Sequence, residues 1–85
     1  MTNNEKIAAC EAILFASGEP VEIARLAEAL EIENDEAEAC LAALHTRLAA
    51  EESGVCLLKL GNKYQLCSKV EYAAQIRNTE RNTIC

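Results

Sequence analysis

Apolar residues recur along this chain first with a helical period and then, near its end, with the period of a strand. Ile7, Cys10 and Leu14 repeat at intervals of three and four residues, which marks one face of an α-helix. Ala8, Ile13 and Phe15 widen that arc well beyond a stripe, and Ala9, Ala12 and Ala16 line most of the remainder. A helix apolar over so much of its circumference calls for cover on more than one side. Its start is assigned after Asn3 or Asn4, either of which can cap it, with Glu5 near the positive end of the dipole. Ser17-Gly18 ends it, glycine being suited to the left-handed conformation past a helix. Pro20 then disfavours helix at Glu19. Glu11 falls within the apolar arc, where a buried carboxylate needs a partner, and Arg25 is the candidate.

A second helix comes almost at once after the Ser-Gly-Glu-Pro break. Val21 is placed as a strand of one or two residues, pairing with a later hairpin. Ile23, Leu26, Ala27 and Leu30 then obey the i, i+3, i+4, i+7 rule, giving a short one-faced helix. Glu31-Ile32-Glu33 forms the turn, and Asn34 is the predicted N-cap of a third helix with Asp35 and Glu36 in its first turn. Ala37, Leu41, Leu44 and Leu48 make a narrow stripe with Cys40 beside it, running to about Glu52 before Ser53-Gly54.

From Val55 the period shortens. Val55 to Leu60 and Lys63 to Ser68 read as strands joined by Gly61-Asn62, a two-residue type II′ turn with glycine first. In that register Leu57, Tyr64 and Leu66 share one face, and Leu58 and Leu60 lie on the other. Two apolar faces exceed what a small core requires, so one is a candidate interaction surface. Val70 to Arg77 can add a helical turn or two. Residues 78–85 are polar, without a pattern to fold around, and read as a tail or interdomain linker. The sum is a mainly α domain over residues 1–77 with a small β-hairpin, a winged helix-turn-helix of three helices plus a wing.

Composition narrows this. Eighty-five residues make one domain, whose small core buries only somewhat more than ~60% of the unfolded surface. With no Trp, one Phe and two Tyr, its packing must be aliphatic. No apolar run approaches the ~20 residues of a membrane helix, and the first residues lack a secretory pattern. A cytoplasmic domain is expected. The five cysteines include no Cys-x-x-Cys pair, and the single histidine, His45, has no cysteine at zinc-finger spacing. They read as reduced thiols without metal or cofactor, Cys10 and Cys40 acting as small hydrophobes. The hairpin register can bring Cys56 near Cys67.

Charge divides the chain. Residues 1–53 carry twelve acids against Lys6, Arg25 and Arg47, a net of −9, whereas residues 54–85 carry a net of +3. No enzyme signature is present: His45 has no nucleophile in a local motif, and the three glycines act as breakers, not as a phosphate loop. DNA binding is the serious alternative, because the third helix of such a fold normally enters the major groove led by its N-terminal residues. Here those residues include Asp35, Glu36 and Glu38. Duplex DNA carries one negative charge per ~1.7 Å, and three acids on the leading turns repel it. Direct sequence-specific DNA binding is therefore not expected. A small winged-helix transcription regulator using the basic wing, Lys59, Lys63 and Lys69, is the competing reading.

The segment EAILFASGEPVEIARLAEALEIE, an acidic third helix and then GVCLLKLGNKYQLCSKVEYAAQIR together resemble a known family. They are similar to the N-terminal winged-helix domain of bacterial segregation and condensation protein B over about residues 6–77. The specific pieces are Glu11 to Pro20, Leu26 to Leu30, Tyr64-Gln65-Leu66 and Glu71-Tyr72, in that order. The resemblance implies a non-enzymatic subunit of the bacterial SMC condensin complex. It would form a homodimer and bind the kleisin subunit, segregation and condensation protein A, and through it SMC. The family carries a second winged helix, and Arg81-Asn82-Thr83 resembles the start of the junction leading to it, which implies a fragment. Candidate association residues are Phe15 on the first helix and Leu58 and Leu60 on the hairpin. Leu26, Leu30, Leu44, Leu48, Leu57 and Leu66 are assigned to the core.

Overall fold

Thr2, rather than Asn3 or Asn4, caps the first helix. In the computed structural model, which describes residues 1–50 and 52–80, α1 spans Asn3–Ser17. The Thr2 hydroxyl accepts the Glu5 N–H at 3.1 Å, and Glu5 Oε1 accepts the Thr2 N–H at 2.7 Å. This reciprocal capping box satisfies two orphan donors, so it outcompetes a lone asparagine. The Thr2 N–H first, and its side chain second, hold the Glu5 carboxyl below its ordinary value of 4.5. Gly18 closes the helix with φ 65°, its N–H reaching the Leu14 carbonyl.

The remaining elements are β1 (Val21–Glu22), α2 (Ile23–Leu30), α3 (Asn34–Ala50), β2 (Val55–Leu60) and β3 (Lys63–Ser68). A 3₁₀ turn over Val70–Tyr72 then leads into α4 (Ala73–Glu80). The tail expected from Asn78 thus starts within α4, and residues 81–85 lie outside the described residues. At the start of α3 the Ala37 N–H donates to the Glu33 carbonyl, so Asn34 is the first helical residue and the cap position falls on Glu33. α3 is described to Ala50, and Glu52, near which its end is expected, lies in a turn.

The α2–α3 turn is made without glycine. Glu31 adopts the left-handed conformation, φ 56° and ψ 45°. Its N–H donates to the Glu28 carbonyl at 3.1 Å and that of Ile32 to the Ala27 carbonyl at 2.9 Å. These are the two bonds of a Schellman motif.

The three strands order as β1-β3-β2, all antiparallel. Leu57 pairs with Leu66, Leu58 with Gln65 and Leu60 with Lys63, the register the sequence pattern predicts. Gly61 has φ 65° and Asn62 does not share that positive sign, as a type II′ turn requires. The turn is also fastened to the helical body. The Asn62 carbonyl accepts the Ile23 N–H at 3.0 Å, and its side-chain amide donates to Glu22 Oε2 at 3.3 Å. β1 completes the attachment, with Val21 paired to Tyr64 and Glu22 to Lys63.

The core lies where the three helices meet the inner face of this sheet. Leu14, Leu26, Leu41 and Leu44 are fully buried, joined by Ile7, Leu48, Leu57 and Tyr64. Each such aliphatic side chain contributes about 1.5–3 kcal/mol by leaving water. Leu30 and Leu66 pack against this cluster half-buried. Cys10 and Cys40 are buried in it, and burial, with Cys40 nearby as a lesser cause, pushes the Cys10 thiol up to about 11. Both act as apolar filler.

Candidate protein interface

The wide apolar arc of α1 is only partly used inside the domain. Its Ile7-Cys10-Leu14 face is buried, and the helix packs against α2, α3 and β3. Ala8, Ala12 and Phe15, spaced i, i+4, i+7, remain exposed, with Phe15 at 81%. That spacing sets the three on one side of the helix as a second, unpartnered seam.

Phe15 opens onto a groove of about 540 Å³ between the end of α1 and the base of the hairpin. Ala12, Leu14 and Gly18 line one wall, and Val55, Leu66 and Cys67 the other. Glu11 stands in this groove half-buried, whereas Arg25 is exposed and lines a different depression with Ile13, Pro20 and Lys63. The expected Glu11–Arg25 pair is not formed. A carboxylate still open to water needs no counter-ion.

Leu58 and Leu60, 42% and 45% exposed, stand on the outward face of the hairpin. They share it with Cys56 and Cys67, which face each other directly in the register. The structure therefore divides the predicted association residues between two places: Phe15 at the groove, Leu58 and Leu60 on the sheet. Val70, 90% exposed, and Tyr72 extend the uncovered apolar surface beyond the hairpin. Sequence reasoning missed this pair because a three-residue 3₁₀ turn has no period to read.

The surface that would meet DNA is poorly equipped for it. Glu36, in the first turn of α3, is paired with the Lys6 ammonium from α1, and Asp35 and Glu38 are exposed. Of the wing lysines, Lys69 donates to the Leu48 carbonyl at 3.2 Å and Lys59 lies 5.9 Å from the Tyr64 ring centre. Arg47, at the far end of α3, reaches Asn4 of α1 at 3.5 Å. Lys6, Arg47 and Lys69 are thus engaged within the domain, whereas Lys63 of the wing stands exposed.

A family profile described as "Segregation and condensation complex subunit ScpB" matches residues 8–83. The chain belongs to the ScpB family. Among curated relatives, segregation and condensation protein B of Shouchella clausii is 39% identical over 69 residues, covering 80% of this chain and 36% of its own length. That of Geobacillus thermodenitrificans is 37% identical over 68 residues, covering 79% and 32% respectively. The chain thus spans about a third of these ScpB relatives. Of solved structures, the dimer of ScpB N-terminal domain complexed with ScpA peptide superposes with a TM-score of 0.85 at 31% identity, over 89% of this chain and 95% of that one. ScpB from Mycobacterium tuberculosis superposes with a TM-score of 0.89 at 21% identity, over 96% of this chain and 51% of that one, a likeness of fold. The mainly α winged helix with its three-stranded sheet is the fold of ScpB.

Proposed function

We propose that this domain is the self-associating, kleisin-binding portion of a non-enzymatic accessory subunit of the bacterial SMC–kleisin condensin complex, acting in chromosome condensation and segregation. The observation that carries this reading is the unpartnered seam Ala8-Ala12-Phe15 beside an apolar groove. A phenylalanine 81% in water is the kind of anchor that gains most from a partner. The solved relative that covers nearly all of its own length with this chain is a dimer holding a ScpA peptide, which supports both parts of the reading. Phe15 is assigned to the pairing surface, and Leu58 and Leu60 to a second apolar contact on the hairpin. Residues 1–77, with α4 continuing to Glu80, form the binding unit.

Analytical ultracentrifugation of the chain, with and without a peptide of the cognate kleisin, tests the proposal. A dimer that binds the peptide supports it. A monomer that ignores the peptide and binds duplex DNA in a salt-sensitive manner overturns it in favour of a wing-mediated DNA binder.

A further inference from the structure

Four free thiols are described, and they fall into two pairs of opposite character. Cys10 and Cys40 are sealed in the core, where the Cys10 thiolate is strongly disfavoured. Cys56 and Cys67 are half-exposed on adjacent strands and occupy directly opposed register positions. The Lys69 N–H donates to the Gly54 carbonyl at 2.8 Å, which brackets Val55 and Ser68 as a pair without mutual bonds. Cys56 and Cys67, one step further in, are then a hydrogen-bonded pair. Such pairs hold their Cα atoms ~5.5 Å apart with both side chains on one face. Disulfides span Cα separations of ~4.4–6.8 Å but need Cβ atoms within ~3.5–4.5 Å, closer than opposed hydrogen-bonded strand residues stand at rest, so the closed bond is strained and correspondingly easy to reduce.

We propose that Cys56 and Cys67 form a reversible oxidation site, a cross-strand disulfide closed and opened by exchange with small thiol–disulfide couples. The Cys56 thiolate attacks one sulfur of a low-molecular-weight disulfide, expelling a small thiolate and leaving a mixed disulfide on the protein. The Cys67 thiolate then attacks Cys56 Sγ, the interstrand S–S bond forms, and the second small thiolate departs. Two protein thiols are oxidised, one small disulfide is reduced, and the two thiol protons pass to the released thiolates. Exchange requires thiolate and access. The hairpin pair has access and the core pair does not, so the chemistry is selective. The strands are already held in register by β-ladder bonds on both sides, so the second step needs no search.

The test treats the full chain with oxidised glutathione, quenches with acid and digests with trypsin. The expected result is a chain lighter by two hydrogens, with two alkylatable thiols lost and restored by dithiothreitol. The peptide ending at Lys59 should be linked to the peptide Tyr64–Lys69. The Cys67→Ser variant should instead retain glutathione on Cys56. Unresolved glutathione adducts on both hairpin cysteines of the unsubstituted chain would overturn the proposal. So would a linkage through Cys10, Cys40 or Cys85 in place of the hairpin pair.

Discussion

The Lys69 ammonium donates a hydrogen bond to the carbonyl of Leu48 at 3.2 Å, tying the foot of the wing to the last turns of α3. A cation at a helix C-terminus meets the negative end of the dipole, and the bond is charge-assisted. Lys69→Met keeps the aliphatic stem and removes the charge, and should cost about 1 kcal/mol of stability. Urea denaturation reads the effect, and Lys69→Arg should recover part of it. A Lys69→Met midpoint equal to that of the unsubstituted chain would show the tie to be idle.

Glu31 holds a left-handed backbone where glycine is the usual occupant. For an L-residue other than glycine that conformation costs roughly 1–2 kcal/mol, offset in part by the larger chain entropy that glycine loses on folding. Glu31→Gly should therefore stabilise the domain by up to about 1 kcal/mol, seen as a rise in Tm. Removing one acid from a strongly negative half acts in the same direction. A lowered Tm would mean that the Glu31 side chain makes a contribution larger than the backbone strain.

The capping box gives the domain a pH signature. The folded Glu5 carboxyl lies below its ordinary value of 4.5 because Thr2 donates to it. Its contribution to stability is fully present above that value and is lost as pH falls through the lower, folded value. The stability gap between the unsubstituted chain and Glu5→Gln should be constant near neutrality and narrow below pH 4.5. Paired denaturation curves at several pH values check this; a gap that widens on acidification contradicts the assignment.

Phe15→Asp places a charge in the seam of α1 without touching the core, since the side chain is already in water. It should leave stability within about 0.5 kcal/mol of its starting value when the protein is dilute. It should also shift the sedimentation profile from dimer to monomer. Leu58→Asp on the outward sheet face is the comparison. If Leu58→Asp dissociates the dimer and Phe15→Asp does not, the pairing surface lies on the hairpin and not on α1.

Much of this fold is legible because its signals are periodic. The stripes of α2 and α3 and the glycine-first turn fix the core leucines and the hairpin register, including the two-residue β1. The misreadings concern single residues, where several partners compete on nearly equal terms. Asn3 and Asn4 are good caps, but only Thr2 has a glutamate three positions on to reciprocate. Glu11 sits in an apolar arc, but the groove leaves its carboxylate in water. The candidate site is legible only in part: Phe15, Leu58 and Leu60 are all exposed. That they belong to separate surfaces depends on how the helix packs across the sheet, which no local pattern encodes. The family resemblance supplied the partner, which neither period nor charge could name.

The turn at Gly61-Asn62 has a consequence for any partner. Its carbonyl is bonded to Ile23 and its amide to Glu22, so the hairpin is braced against the body and does not swing as a free arm. A free arm would have to be immobilised on contact, at an entropic cost for each residue ordered. A braced one meets its partner already in shape, so less of the contact energy is consumed in ordering it. The wing is built as a strut, and any partner docking on it would meet a template.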